Sequence, residues 1–352
     1  MKKMLALLLA LVMVLSLAAC ASSQPAATDA AASTETAETT ETTETTEPAA
    51  EESAEAPAES GKTYTVGVCQ LVQHEALDAA TQGFIDALKE ELGDAVTVDA
   101  QNASGDSVNC GTIVNGFVSK GVDLIMANAT PALTAAVSAT ADIPILGTSI
   151  TAYGVALDID DFNGTVGGNV SGTSDLADLQ AQAQMILDWF PETKTVGLLF
   201  CSAEPNSRYQ IDEVRKALEA QGVTCEEFAF TDSNDVSSVT QKAADFSDVV
   251  YIPTDNTAAS NTEAIANVLI PAGVPAICGE EGLCRGCGVA TLSISYYDLG
   301  VTTGKMAAKI LKGEADISTM PVEYTDATPK YNASVCEQLG ITPLDGYEAI
   351  DG

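Results

Sequence analysis

Between residues 64 and 311, short apolar runs alternate with segments whose apolar positions recur at helical spacing. The runs at 64–70, 96–100, 122–126 and 143–146 read as strands and the stretches 77–92, 108–119 and 132–139 as helices; in the first helix Leu77, Phe84, Ile85 and Leu88 share one face. After a glycine-rich stretch at 164–172 the pattern starts again, with helices at 176–189, 207–221, 236–246 and 258–269. Strands at 195–200, 223–230, 249–252 and 276–278 separate them. Such alternation predicts parallel sheets covered by helices, so the fold class is α/β with two Rossmann-like domains. A strand at 289–294, a helix at 299–311, a short strand at 322–324 and a helical tail remain, enough to cross back and add a unit to each domain. The expected lobes are 62–170 plus 292–320, and 171–291 plus 321–352, with a hinge where the chain crosses.

The N-terminus changes the picture. Lys2 and Lys3 precede an apolar run at 4–17, which ends in Ala18, Ala19 and Cys20, the form of a signal peptide occupying 1–19. The run is shorter than the roughly 20 residues that a membrane-spanning helix needs. The Leu17-Ala18-Ala19-Cys20 tetrad resembles the bacterial lipobox, which implies a lipid on the Cys20 sulfur and a place on the extracytoplasmic face of the cell membrane. Residues 20–61, almost wholly Ala, Ser, Thr, Glu and Pro, offer too little apolar surface to offset the entropy of ordering. They are expected to form a disordered acidic tether.

A formal net charge of −35 with only 15 Lys and Arg leaves no basic stretch for nucleic acid. Eight cysteines besides Cys20 show no repeated spacing. Cys284-Arg285-Gly286-Cys287 is the one motif-like pair, and a metal there would need two further ligands while His74, the only histidine, lies far off in sequence. No metal and no cofactor are expected. One histidine also excludes His-Glu-x-x-His, and no Gly-x-Ser-x-Gly occurs, so no enzyme is expected. Gly300 to Lys305 is one residue short of a phosphate-binding loop and lies in a helical pattern.

Open parallel sheets bind ligands outside the carboxyl ends of their strands. Small polar side chains concentrate there: Gln70, Gln73 and His74 after the first strand, Thr130 after the third, Ser149 and Tyr153 after the fourth. In the second domain Ser202, Asn206 and Ser207 follow one strand, Asp255 and Asn256 another, and Glu280 a third. For an amino-acid ligand, Asp255 is the expected partner of the ammonium, and Ser202, Asn206 and Ser207 of the carboxylate. Trp189, beside Phe190 and Pro191, reads as core rather than as a stacking face for a sugar.

The segments Val66-Gly67-Val68-Cys69-Gln70 and His74-Glu75-Ala76-Leu77-Asp78 open a resemblance that continues through Asn102-Ala103-Ser104-Gly105-Asp106 and Ala129-Thr130-Pro131-Ala132. Gly167-Gly168-Asn169-Val170-Ser171-Gly172, Pro253-Thr254-Asp255-Asn256-Thr257, Asp298-Leu299-Gly300 and Thr303-Gly304-Lys305-Met306 extend it over roughly 61–345. Together they resemble the substrate-binding proteins of ABC transporters that include tryptophan and other aromatic amino acid binders. The resemblance implies a type I periplasmic-binding fold, three crossovers, a ligand closed in the interdomain cleft, an ABC permease as partner, and a monomer. An amino acid with an aromatic or large apolar side chain is the favoured ligand, a nucleoside or sugar the alternative; a sensor for a membrane receptor would use the same clamshell. Glu75 stands where the family often has proline after the histidine, and Ala152-Tyr153 where it often has Asp-Pro, so the pocket edge is expected to differ.

Overall fold

A computed structural model describes residues 61–350, which fall within one compact unit, Ala58–Gly352. The signal peptide, Cys20 and the tether lie outside the described residues. The first sheet is built from β1 (Tyr64–Gln70), β2 (Val96–Asn102), β3 (Leu124–Asn128), β4 (Ile145–Ile150) and β5 (Val170–Ser174). Helices α1 (Glu75–Leu92), α2 (Ser107–Lys120), α3 (Thr130–Ala139) and the short α4 (Tyr153–Ala156) connect them. β3, β4 and β5 are buried at every position, as continuous apolar or small-residue runs require when helices cover both faces of a parallel sheet.

The second half repeats the plan. It runs α5 (Leu179–Trp189), β6 (Thr195–Cys201), α6 (Pro205–Glu219), β7 (Thr224–Phe230), α7 (Val236–Phe246), β8 (Val249–Ile252), α8 (Asn256–Ala259), α9 (Thr262–Ala272), β9 (Ala276–Cys278), α10 (Glu281–Cys287) and β10 (Ala290–Ser293). The chain then returns through α11 (Tyr296–Lys312), β11 (Glu323–Tyr324), β12 (Thr328–Tyr331), α12 (Ala333–Leu339) and β13 (Glu348–Ala349).

Strand order is β2-β1-β3-β4-β5-β11 in one sheet and β7-β6-β8-β9-β10-β12-β13 in the other. Only β12 runs antiparallel to its β10 neighbour while β13 follows β12 in parallel. Both sheets therefore reverse winding direction at equivalent places, β1/β3 and β6/β8, and such a switch point opens a crevice at the carboxyl edge. The chain passes between sheets three times, after β5, after β10 and after β11.

These crossings differ in place from the expected lobe boundaries. β5 stays in the first sheet through Ser174, where 171 onward was assigned to the second lobe; β10 stays in the second sheet through Ser293; and β11 pairs with β5. The last strands also replace most of the expected helical tail. Thr328-Pro329-Lys330-Tyr331 has neither alternation nor an apolar run, and it becomes a strand only because β10 offers an antiparallel edge. The helix expected at 258–269 is two helices, α8 and α9, divided at Ser260 and Asn261.

Trp189 is core, as expected: it is buried and meets Tyr347 edge-on at 5.1 Å between ring centroids.

Candidate functional site

The carboxyl edges of the two sheets face one another across a small polar chamber. The first lobe supplies His74 and Leu77 from the start of α1, Ser149 and Thr151 from the end of β4, Asp175 from the first crossing, and Tyr296 from the start of α11. From the second lobe come Asn206 on α6, Thr254, Asp255 and Asn256 after β8, and Glu280 ahead of α10. The free space at its centre is about 10 Å3, room for roughly one water molecule.

Three of its polar atoms accept or donate nothing. Among the described residues, buried side-chain atoms without a partner include Ser149 Oγ, Asp175 Oδ1 and Asn206 Oδ1, all on this chamber. Ser149 sits at φ 56°, a left-handed conformation that costs a non-glycine residue of order 1–3 kcal/mol and that clusters at functional sites. Asp175 is only 3% exposed; its Oδ2 accepts the Tyr296 hydroxyl at 2.8 Å. Asn206 donates from Nδ2 to Thr254 O at 3.1 Å.

Each oxygen of the other carboxylates already accepts at least one hydrogen bond. Asp255 Oδ2 accepts Cys201 N–H at 2.6 Å and Oδ1 accepts Ala258 N–H at 2.8 Å, so it caps α8 and ties it to β6. Glu204 accepts the backbone and side chain of both Asn256 and Thr257, at 2.7–3.0 Å. Glu280 caps α10 through Gly282 N–H and Leu283 N–H. Burial pushes the Asp255 carboxyl up to about 8, with the Glu204 charge adding to it, and lifts Glu280 to about 7. It also raises Asp175 and lowers His74. Every shift favours the neutral form, because the chamber has no Lys or Arg in its wall and little water.

The sequence expectations separate on this geometry. His74, Ser149, Asn206, Asp255, Asn256 and Glu280 meet at the chamber, and Ser207 is packed against it with its hydroxyl beside Asn206 and Asp255. Gln70 does not reach it: its amide is saturated by Val72 O, Asp78 and Thr81 in the turn from β1 to α1. Gln73 is exposed on an outer groove with Arg285. Thr130 is buried at the start of α3, and Ser202 is exposed, donating to Phe230 O at 3.1 Å; neither lines the chamber. Tyr153 is core. Its hydroxyl donates to Gly147 O at 3.0 Å, with Thr173 O also within reach at 3.2 Å, in space that glycines at 147 and 172 leave open.

Asp175, Thr151 and Leu77 were missed. Asp175 directly follows β5, so the rule of strand carboxyl ends would have found it had the glycine-rich stretch been read as leading into a strand. Across the cleft His74 Nε2 lies 3.2 Å from Asn256 Oδ1, and Arg285 Nε 3.0 Å from Glu75 Oε1, joining the lobes. Glu75, one of the expected departures at the pocket edge, is thus a clasp between them.

Residues 65–346 match the family described as ABC transporter substrate binding protein. A tyrosine-binding protein of Clostridioides difficile (strain R20291) is 33% identical over 276 residues, 77% of this chain and 79% of that protein. An ABC domain from Streptococcus pneumoniae in complex with L-Trp superposes with a TM-score of 0.78 at 32% identity, covering 82% of this chain and 100% of its own. The ligand-free, open structure of a substrate-binding protein with adhesive properties from Clostridium difficile gives 0.63 at 33% identity, with 82% and 99% covered. At near-equal identity, the chain thus superposes better on the L-Trp complex than on the ligand-free, open structure.

Proposed function

This chain belongs to the family of ABC transporter substrate-binding proteins, which work outside the cytoplasm, and on that premise we propose that its ligand is an α-amino acid, with an aromatic or other large apolar side chain favoured. The observation that carries the reading is the convergence of three unpartnered buried oxygens, Ser149 Oγ, Asp175 Oδ1 and Asn206 Oδ1, on one chamber. An ammonium group has three N–H donors and needs a counter-charge in a site with little water; a hydroxyl, an amide carbonyl and a carboxylate supply both. Asp175, rather than Asp255, takes this role, because Asp175 Oδ1 accepts nothing, whereas both Asp255 oxygens hold the backbone N–H groups that cap α8 and tie it to β6.

The α-carboxylate goes to the start of α1. The first N–H there to bond back into the helix is that of Asp78, to His74 O at 3.0 Å, which leaves the N–H groups of Glu75, Ala76 and Leu77 for an anion. A ligand held by Asp175 and Ser149 on one lobe and Asn206 on the other draws the lobes together, so capture and closure are one event. The tyrosine-binding relative and the L-Trp complex support a large aromatic side chain. Delivery to an ABC permease by a protein anchored through a lipid on Cys20 completes the reading.

Isothermal calorimetry with a panel of L-amino acids, their deaminated analogues, sugars and nucleosides tests it. L-amino acids should bind and deaminated analogues should not. Asp175→Asn should weaken binding by roughly two to almost four orders of magnitude, since an ammonium buried without its counter-charge costs about 3–5 kcal/mol. Binding of sugars or nucleosides alone, or of deaminated analogues as tightly as the parent, would sink the amino-acid reading.

A further inference from the structure

With room for about one water, the chamber has no space for a large side chain, which must lie elsewhere. Beside the hinge a groove of about 430 Å3 shares Glu280 and Tyr296 with the chamber. Ala76 and Ala79 of α1 and Ile294 form its apolar wall, and α10 begins on the opposite side with Glu280, Glu281 and Gly282. Because Tyr296 holds Asp175 at 2.8 Å, a ligand anchored on Asp175 already stands at this exit.

The two glutamates of the α10 wall differ. Glu281 is neutralised, with Oε2 accepting from Lys330 at 2.8 Å and from Ser293, and Oε1 from Arg285 at 2.7 Å. Each Glu280 oxygen accepts one backbone N–H, from Gly282 or Leu283. A carboxylate oxygen accepts two hydrogen bonds, so each keeps one site. Glu280 is 3% exposed, yet it borders the chamber, the hinge-side groove and the outer groove near Arg285.

We infer that the ligand side chain leaves the chamber past Glu280 into the hinge-side groove, and that Glu280 accepts a hydrogen bond from it, so that the protein selects side chains bearing an O–H or N–H over apolar ones of equal size. This rests on the amino-acid reading of the chamber. The neighbouring Gly282 leaves the Glu280 carboxylate uncrowded, since a Cβ there would stand 3.1 Å from Glu280 Oε2.

The test is calorimetry on the full chain with size-matched pairs: L-tyrosine against L-phenylalanine and O-methyl-L-tyrosine, and L-tryptophan against 3-(2-naphthyl)-L-alanine. At pH 8.5, above the Glu280 value of about 7, each donor-bearing ligand should bind roughly 10- to 100-fold tighter than its partner, the range of a hydrogen bond to a charged group. In Glu280→Asp, which keeps a capping carboxylate for α10 but withdraws it from the groove, the preference should collapse to within about threefold while each ligand still binds. Equal affinities for tyrosine, phenylalanine and O-methyltyrosine in the unmodified protein overturn the inference and leave the amino-acid reading standing. An unchanged preference in Glu280→Asp removes Glu280 from it. Failure of every amino acid to bind overturns both. The comparison among ligands needs no variant, so it decides the matter even if Glu280→Asp does not fold.

Discussion

Residue scale separates the carboxyls of the cleft by what already occupies them. Asp255 was legible in the sequence as an acid on a cleft-facing loop, but an N-cap and a ligand group look alike there: both follow a strand and precede a helix. Only the positions of Cys201 N–H and Ala258 N–H, one of them 54 residues away, assign Asp255 to structure. The same burial has a consequence for pH. Asp255 is raised from 3.8 to about 8 and Glu280 from 4.5 to about 7, both chiefly by desolvation. An acid whose folded value lies above its unfolded one keeps a proton that the unfolded chain releases. Its contribution is whole below about pH 4 and is lost as pH rises through about 7 and 8. Surface acids held down by Lys or Arg, such as Asp99 and Glu227, act in the opposite sense, and their contribution is lost only at acid pH. Asp255 and Glu280 take their hydrogen bonds from their own lobe and stay packed there when the lobes part, so the ligand-free protein should melt at a higher temperature near pH 5 than near pH 8.5, and a saturating amino acid, by bringing a cation to the chamber, should shrink the difference. Thermal unfolding across that range checks it; a flat profile without ligand would mean that these carboxyls are ionised in the folded state.

Among the elements, the pairing of α1 with α11 shows what sequence patterning leaves out. The strand–helix alternation was readable because each strand is an apolar run and each helix keeps an apolar face. The return of α11 to the first lobe was expected, but its seat on α1 was not, because the contact depends on small residues some 200 positions apart. A Cβ at Gly300 would stand 2.0 Å from Ala80 O, one at Gly83 2.1 Å from Tyr297 O, and one at Gly304 2.7 Å from Phe84 O. The glycines that superficially suggested a phosphate loop are thus the seats of a close helix crossing. At Gly111 in α2 a Cβ would meet nothing within 4 Å. The two sites predict opposite signs for the same substitution. Gly111→Ala should stabilise by about 0.5–1 kcal/mol through helix propensity. Gly300→Ala gains the same propensity but must push two backbones apart, and should destabilise by a net 1–3 kcal/mol. Urea unfolding of both variants reads the contrast; stabilisation in both would mean that the α1–α11 contact yields.

For the whole molecule, the repeated α/β plan was legible and the exact crossings were not, because β5 and β12 are strands made by their neighbours rather than by their own pattern. The crossings matter because, among the described residues, they are the covalent links about which the lobes can turn. With room for about one water at its centre, the chamber cannot admit an amino acid without opening. The contacts that would resist opening are modest. Arg285 and Glu75 have side chains 34% and 54% exposed, and such a pair contributes about 0–1 kcal/mol; the His74–Asn256 hydrogen bond adds about 0.5–1.5 kcal/mol. Closing without ligand also buries Asp175, Ser149 and Asn206 with unpartnered oxygens, each a cost of roughly 1–3 kcal/mol. The balance favours an open form in the absence of ligand, and the ammonium reverses it by satisfying all three at once. Small-angle scattering should therefore give a larger radius of gyration for the ligand-free protein than for the complex. Asp175→Asn should lose the ligand-induced contraction at ligand concentrations that saturate the unmodified protein. Glu75→Ala, which removes only the exposed clasp, should keep it. An identical radius with and without ligand would place the lobes in a permanently closed state and leave no route by which a ligand could reach the chamber.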